Sequence, residues 1–348
     1  MVRTKKAPLA VQMKRHAAMI PEKKAIVGNT EIMISTGSTL LDLAISGKRK
    51  RGGGIPAGIL MEVFGPEGSG KTVLLCEIGG GVQRAGGDVM FNDPEARLNK
   101  QFASLFDLNT DSLKVNQPDT VTEVISSVKE WKPLGKGKVH GIFTDSLAAL
   151  STSLEMENEE GDKMGMRRAK EFSEGLRKIC RILQKENYIM VCSNQIRDNA
   201  SAVGYQEKFT VPGGKAMAFY SSIRLRFNKP EKVTKKKSIA GKEVTKVMGT
   251  KVKVDVYKNS VDAPYRSADL YIVFDYGVDD IRANVQYLKD YSKSKAYTMG
   301  ETVLGSSIED AIAFVEEYKL EKQVKEHVIS LWEDIEKKFK VHREKKRR

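Results

Sequence analysis

Cysteine is scarce and scattered in this chain. Cys76, Cys180 and Cys192 are odd in number and form no C-x-x-C pair, which excludes a disulfide framework and reads as reduced packing residues of an intracellular protein. The four histidines, at 16, 140, 327 and 342, make no ligand-spaced cluster, so neither zinc chemistry nor a histidine-based triad is supported. No apolar run approaches the length of a membrane span, and the charged N-terminus lacks a secretory apolar region. The expectation is therefore a cytoplasmic protein with no membrane partner. Acidic residues are also in deficit: 45 against 59 lysines and arginines leave a net charge of +14. That balance points to a polyanion such as nucleic acid, although an acidic protein or a membrane surface would also be attracted.

Glycine, by contrast, is concentrated where it has a use. Gly65-Pro66-Glu67-Gly68-Ser69-Gly70-Lys71-Thr72 fits G-x-x-x-x-G-K-[ST]. The apolar run Ile59–Phe64 before it reads as a buried strand, and Thr72–Arg84 after it as a helix. Glycines 65, 68 and 70 let the backbone turn tightly enough for successive N–H groups to surround a triphosphate, and the helix N-terminus adds its positive end. Lys71 is then placed for the β- and γ-phosphates, and the Thr72 hydroxyl for Mg²⁺.

With 348 residues, 40% of them apolar, the chain can bury a large α/β core with smaller appendages. Residues 1–30 read as a basic N-terminal helical segment, around Leu9–Ile20, closed by Pro21. Residues 31–280 read as the core. Its strand candidates are Leu60–Phe64, Asp88–Asn92, Val139–Thr144, Tyr188–Ser193, Ile223–Phe227, Lys251–Tyr257 and Leu270–Asp275. Helical segments separate the earlier strands, the pattern of a mostly parallel sheet, whereas the later strands follow one another directly, as in an antiparallel extension. Residues 281–348 turn helical, notably Ser307–Tyr318 and Gln323–Phe339, and end in a basic tail, so a small C-terminal helical domain is expected.

Ligands of open α/β sheets gather outside the carboxyl ends of the strands. Asp145, directly after Gly141–Thr144, resembles a Walker B aspartate able to hold Mg²⁺ directly or through its water; the alternative is a helix cap. Glu95, in Asn92-Asp-Pro-Glu95, is placed to orient and deprotonate an attacking water, with Asp93 its nearby rival. Asn194 and Gln195 follow the fourth strand candidate, where an uncharged amide can sense a γ-phosphate.

The ordered set of motifs resembles a RecA-type homologous recombinase, bacterial or phage-encoded. Besides the P-loop, Glu95, Asp145-Ser-Leu-Ala-Ala-Leu150 and Asn194-Gln-Ile-Arg197, it includes Ser35–Asp42, Met164-Gly-Met166, Gly213-Gly-Lys-Ala216, Phe219–Arg224 and Lys258–Tyr265. The resemblance covers roughly residues 31–280 and implies a RecA-like P-loop ATPase core. It further implies filaments of self-associated subunits on single-stranded DNA, with ATP bound between neighbours and duplex DNA engaged during strand exchange. Carried over by position, Lys71 and Thr72 take the P-loop roles, Glu95 the catalytic base, Asp145 the Walker B role, and Gln195 the link from γ-phosphate to DNA. Phe102 falls where an aromatic residue lies against the adenine, and Asn99 where an acidic residue often contacts the base. Tyr276 is placed to close the nucleotide site from the other side.

Two segments resemble the family's DNA-binding loops. The first, about Glu157–Met166, contains Met164 and leads into Arg167 and Arg168; the second, about Ile196–Gly213, bears Arg197, Tyr205, Lys208 and Phe209 and leads into Gly213 and Gly214. Cations there can pair phosphates while apolar side chains wedge between bases. Arg177, on the helix after the first loop, matches a further DNA-side position. Three features depart from the family. Lys258-Asn-Ser260 retains one of two lysines that reach across to the neighbour's ATP. Lys48-Arg-Lys-Arg-Gly-Gly-Gly54 lengthens the turn before the first core strand, and the insert Lys229–Lys253 is more basic than the family pattern. The rival readings are a hexameric helicase of the same fold, which the two-loop pattern argues against, and a non-catalytic recombination mediator, which Glu95, Asp145 and Gln195 argue against.

Overall fold

The computed structural model describes residues 28–106, 108–151, 164–198, 209–210 and 214–343. The N-terminal segment therefore lies outside the described residues, except for its last three. The strands are β1 (Asn29–Ile34), β2 (Ile55–Ala57), β3 (Leu60–Gly65), β4 (Val89–Asn92), β5 (Leu113–Asn116), β6 (His140–Thr144), β7 (Tyr188–Gln195), β8 (Arg197–Asp198), β9 (Phe209–Thr210) and β10 (Ile223–Phe227). They continue with β11 (Glu231–Ile239), β12 (Lys242–Asn259), β13 (Ser267–Val273), β14 (Gly277–Val278), β15 (Tyr297–Met299) and β16 (Thr302–Gly305). The α-helices are α1 (Thr39–Ser46), α2 (Lys71–Arg84), α3 (Lys100–Ser104), α4 (Val121–Glu130), α5 (Met164–Glu186), α6 (Gly214–Tyr220), α7 (Asp280–Asp290), α8 (Ile308–Glu317) and α9 (Glu321–Lys338).

The main sheet has the order β14-β13-β12-β10-β3-β7-β6-β4-β5, with β11 paired to β12. From β10 to β5 every neighbouring pair is parallel; β12, β13, β14 and β11 are antiparallel. The near-continuous apolar composition of the central strands follows from burial on both faces. Alternation does the sorting. Met61, Val63, Phe91, Phe143, Ile189 and Val191 join one apolar cluster with Val73, Leu74, Ile78 and Val82 of α2. Leu60, Met90, Ile142, Tyr188, Met190 and Cys192 join another with Val124 and Val128 of α4 and Leu176, Ile179 and Leu183 of α5. A one-residue slip in any of these strands would exchange the two sets.

Beyond Asp280, α7, α8 and α9 are joined by the β15–β16 hairpin, which the helical reading of this region did not include. The apolar residues of this region, among them Leu304, Val315, Val324 and Val328, belong to the same cluster as the α2 side of the sheet. Polar links reinforce the docking. Asp280 accepts from Thr39 N and Oγ1, both at 2.7 Å, tying α7 to the start of α1. Arg51, in the lengthened turn, donates to Glu326 at 2.8 Å and to Glu333, both on α9. The same turn thus serves as a bracket for the last helix.

Candidate active site

Four adjacent parallel strands end side by side, and each delivers part of one pocket. Gly65 of β3 sits opposite Gln195 of β7, Cys192 of β7 opposite Thr144 of β6, and Thr144 opposite Asn92 of β4. The P-loop, Gln195, Asp145 and the Asp93–Glu95 turn therefore leave the sheet at the same edge. They line a pocket of about 760 Å³ together with Phe102, Phe106 and Leu98. Asn194 and Gln195 lie within β7 rather than after it, because the strand runs two residues beyond its apolar stretch.

The P-loop places its lysine by its own backbone. Gly68 and Gly70 have φ of 65° and 92°, and a Cβ on Gly70 would come 2.2 Å from Ile272 Cδ1, so only glycine fits there. Lys71 opens α2 and its Nζ donates to Gly65 O at 3.1 Å and Pro66 O at 2.7 Å. Burial pulls the Lys71 ammonium below the ordinary lysine pKa, while Asp145, Glu67 and Glu95 act in the opposite direction. A partly dehydrated cation at a helix N-terminus is a strong attractor for phosphate.

Thr72 Oγ1 donates to Asp145 Oδ2 at 2.6 Å, and Ser193 Oγ of β7 donates to Oδ1 of the same carboxylate. Two oxygen-bearing side chains thus converge beside the lysine, a donor set of the hard-oxygen kind that suits Mg²⁺. Glu95 accepts from Ser146 Oγ at 2.9 Å and pairs with Arg97 at 2.7 Å, inside the pocket. Asp93 is engaged differently: its two oxygens accept from Arg97 N at 3.1 Å and Leu98 N at 2.7 Å, so it braces the turn that carries Glu95.

Behind Gln195 runs a buried polar chain. Gln195 N donates to Asn194 Oδ1 at 3.1 Å, Asn194 Nδ2 to Glu62 Oε1 at 3.0 Å, and Arg224 Nε to Glu62 Oε2 at 2.6 Å. Glu62 is completely buried, and Arg224 lies over the Phe64 ring at 4.6 Å. Neither Glu62, inside β3, nor the serines at 146 and 193 stand out from sequence, because isolated polar residues there match no spacing motif and gain partners only when the strands align.

Other sequence expectations land elsewhere. Asn99 does not line the pocket; its side chain caps α3, accepting from Gln101 N at 2.8 Å and Phe102 N at 3.4 Å. Tyr276 is exposed at the β13–β14 turn and is not among the lining residues, although Phe274, Asp275 and Gly277 beside it are. This wall, with Thr250 and Ile272, comes from the antiparallel extension, far away in sequence. Lys258 lies opposite Arg224, towards the amino ends of the parallel strands and away from its own chain's pocket. Its Nζ donates to Ala218 O at 2.8 Å and Phe219 O at 2.9 Å at the end of α6. Burial and the neighbouring Arg224 lower its pKa.

Of the DNA-side expectations, Tyr205, Lys208 and Gly213 lie outside the described residues. Met164, Arg167 and Arg168 fall in the first turns of α5, and Arg177 is exposed further along it. Arg197 and Phe209 lie on the short antiparallel pair β8–β9, and Gly214 opens α6.

A family model for the RecA N-terminal domain matches residues 16–279. The chain belongs to the RecA family. It is 34% identical to Protein RecA of Borrelia hermsii over 302 residues, covering 86% of this chain and 81% of that one. It is 35% identical to Protein RecA of Sulfurimonas denitrificans over 311 residues, covering 87% and 86%. Among solved structures, a crystal structure of the RadB recombinase aligns with a TM-score of 0.50 at 19% identity, covering 71% of this chain and 98% of the other, a likeness of fold. The chain is accordingly a RecA-family recombinase of DNA recombination and repair. As a member it is an ATP-using, DNA-dependent ATPase of a family that binds DNA and forms filaments. Among the described residues no helix is long and apolar enough to cross a membrane.

Proposed function

We propose that this chain polymerises on single-stranded DNA with ATP at each subunit interface and exchanges strands with a homologous duplex, working in the cytoplasm. The observation that carries the reading is the convergence of Lys71, Thr72–Asp145, Glu95 and Gln195 at one sheet edge.

In this mechanism the P-loop amides and Lys71 hold the triphosphate, and Phe102 offers an apolar face to the base. Glu95, oriented by Ser146, takes the proton of the attacking water. Thr72 and Asp145 would hold Mg²⁺, which when bound would supply charge neutralisation at the phosphates. Gln195 reads the γ-phosphate by hydrogen bonding at the start of the Ile196–Gly213 segment, so nucleotide state and DNA grip share one strand end. Nucleotide binding can shift the grip only through such a differential contact. Lys258 faces away from its own pocket and is free by position to serve a neighbour's. Sequence readout is left to base pairing, which requires of the protein only phosphate contacts and spread bases.

The test is ATP hydrolysis with and without single-stranded DNA, paired with electron microscopy. DNA-stimulated turnover with helical filaments, both lost in Lys71→Ala, is the expected result. Rings would favour a helicase, and negligible turnover a mediator. Tight ATP binding retained by Lys71→Ala would overturn the assignment of the P-loop.

A further inference from the structure

The lengthened turn before β2 carries four consecutive cations, Lys48 to Arg51, and each is engaged within the chain. Lys48 Nζ pairs with Glu336 and Arg51 with Glu326 and Glu333, all on α9. Arg49 Nε donates to Val261 O and Lys50 Nζ to Glu31 O, both at 2.7 Å. Much of this holds one target, the segment Asn259–Arg266, which joins β12 to β13 and begins directly after Lys258. From one side, Asn259 Nδ2 donates to Ile45 O at 2.6 Å, Lys48 N donates to Asp262 Oδ2 at 3.0 Å, and Arg49 holds Val261 O. From the other, Arg266 donates to Glu336 at 3.2 Å and lies over the Trp332 ring at 5.2 Å. Trp332 also packs on the turn, where a Cβ on Gly47 would come 2.7 Å from its Cη2. Glu336 receives Lys48 and Arg266 together, so one carboxylate joins α9, the lengthened turn and the segment after Lys258. The clamped segment is strained. Tyr265 has φ of 69° and is 85% exposed, so no burial of its ring offsets the left-handed backbone.

We propose that Arg49 and Glu336 are positioning residues that fix the Asn259–Arg266 segment and so aim Lys258 at the nucleotide of a neighbouring subunit. This role rests on the action of Lys258 across the subunit interface in the proposed mechanism, and supplies what holds that lysine in place. Backbone strain persists only where surrounding contacts over-determine it, and here they come from two elements distant in sequence. Exposed ion pairs contribute little to stability. A displacement of about 1 Å at a reacting group, by contrast, can cost about 100-fold in rate. Contacts that converge on the backbone beside Lys258 therefore matter more to turnover than to folding. The strand transmits the placement directly, since Lys258 and Asn259 are the last two residues of β12.

The experiment compares the full chain with Arg49→Met/Glu336→Gln and with the control Arg51→Met, since Arg51 reaches α9 but not the Asn259–Arg266 segment. Single-strand-stimulated ATP turnover is measured for each chain alone and in a large excess of Glu95→Gln, whose own site turns over poorly but whose Lys258 and clamp are intact. Alone, the double variant should turn over about 10- to 100-fold more slowly than the parent. Arg51→Met should match the parent. In the mixture most variant subunits face an intact neighbour, so turnover per variant subunit should return to that of the parent mixed in the same way. A defect of folding or of the variant's own pocket cannot be rescued by a neighbour. Unchanged turnover of the double variant alone, no recovery in the mixture, or an equal loss in Arg51→Met overturns the inference. Should the double variant not fold, Arg49→Met alone, which keeps Glu336, carries the same comparison. Lys258→Ala is measured alongside. If the excess of Glu95→Gln does not rescue it, the action of Lys258 across the interface fails and the inference with it; if it does and the double variant is not rescued, the clamp alone is overturned.

Discussion

Thr72 Oγ1 and Asp145 Oδ2 meet at 2.6 Å, joining the residue after the P-loop lysine to the end of a strand two places away in the sheet. Asp145→Asn keeps the shape of that contact and removes its charge. The expected effect is a higher Mg²⁺ requirement and a turnover about 10- to 100-fold lower, with ATP affinity much less affected. An Mg²⁺ titration of ATP hydrolysis checks it; an unchanged midpoint would place the metal elsewhere.

Glu95 and Asp93 are two residues apart but hold different partners, a serine hydroxyl and an arginine against two backbone amides. Glu95→Gln should bind ATP and DNA while turning over about 10²- to 10⁴-fold more slowly, the usual contribution of a general base. Asp93→Asn should instead raise KM with a smaller change in kcat, since it loosens the turn. The reverse pattern in steady-state kinetics would transfer the base to Asp93.

Gly70 and Gly68 separate space from strain. Both have positive φ, but a Cβ on Gly68 meets nothing within 4 Å whereas one on Gly70 meets Ile272 Cδ1. Gly68→Ala should cost about 1–2 kcal/mol of stability, the left-handed penalty alone. Gly70→Ala should cost more and weaken nucleotide binding. Because the clash is with the terminal methyl, Gly70→Ala/Ile272→Val should recover part of the loss in thermal unfolding. No recovery would mean that backbone strain accounts for the whole effect.

These contacts also mark how far the sequence was readable. The P-loop was legible because its glycines and lysine are consecutive and sit between a buried strand and a helix of matching pattern. Asp145 and Gln195 were legible because polar residues directly after apolar runs fall on the ligand edge of a parallel sheet. The partners of these residues were not: Ser193 and Ser146 become ligand-orienting only when β7, β6 and β4 align, a tertiary fact. Strand β5, Leu-Lys-Val-Asn, is too short and polar to announce itself, and the length of β12 is hidden by exposed lysines alternating with β-branched residues. Asn99 took a cap position, for which its amide is well suited, instead of reaching the pocket.

Asp42 is fully buried on α1, where its carboxylate accepts from Thr36 N at 2.7 Å and Thr36 Oγ1 at 2.8 Å. Burial raises its pKa from 3.8 to about 6, outweighing the hydrogen bonds from Ser35 and Thr36 that lower it. The folded state therefore holds a proton that the unfolded chain releases between these values, so this stabilisation is complete below about pH 4 and is lost as pH rises through 6. The gap corresponds to roughly 3 kcal/mol. Asp42→Asn lacks the titration, so the stability of the parent relative to the variant should fall between pH 4 and 7. A pH-independent difference in thermal midpoints would refute the assignment.

Glu62 and Arg224 form the buried end of the chain that begins at Gln195, and their pairing has an energetic signature distinct from packing. Removing one partner strands a charge in a dehydrated site, so Glu62→Gln and Arg224→Met should each destabilise the protein by about 3–5 kcal/mol. Together they should cost much less than the sum, because the stranded charge is gone; a denaturant double-mutant cycle reads this as a coupling of 2 kcal/mol or more, and additive effects would show the pair to be incidental. Kinetics adds a second discrimination. The Asn194 side chain accepts from the Gln195 backbone N–H through Oδ1 and donates to Glu62 through Nδ2, so Glu62→Gln loosens the strand end that carries the γ-phosphate contact. Its single-strand-stimulated turnover should fall further than its basal turnover, at temperatures where the variant remains folded.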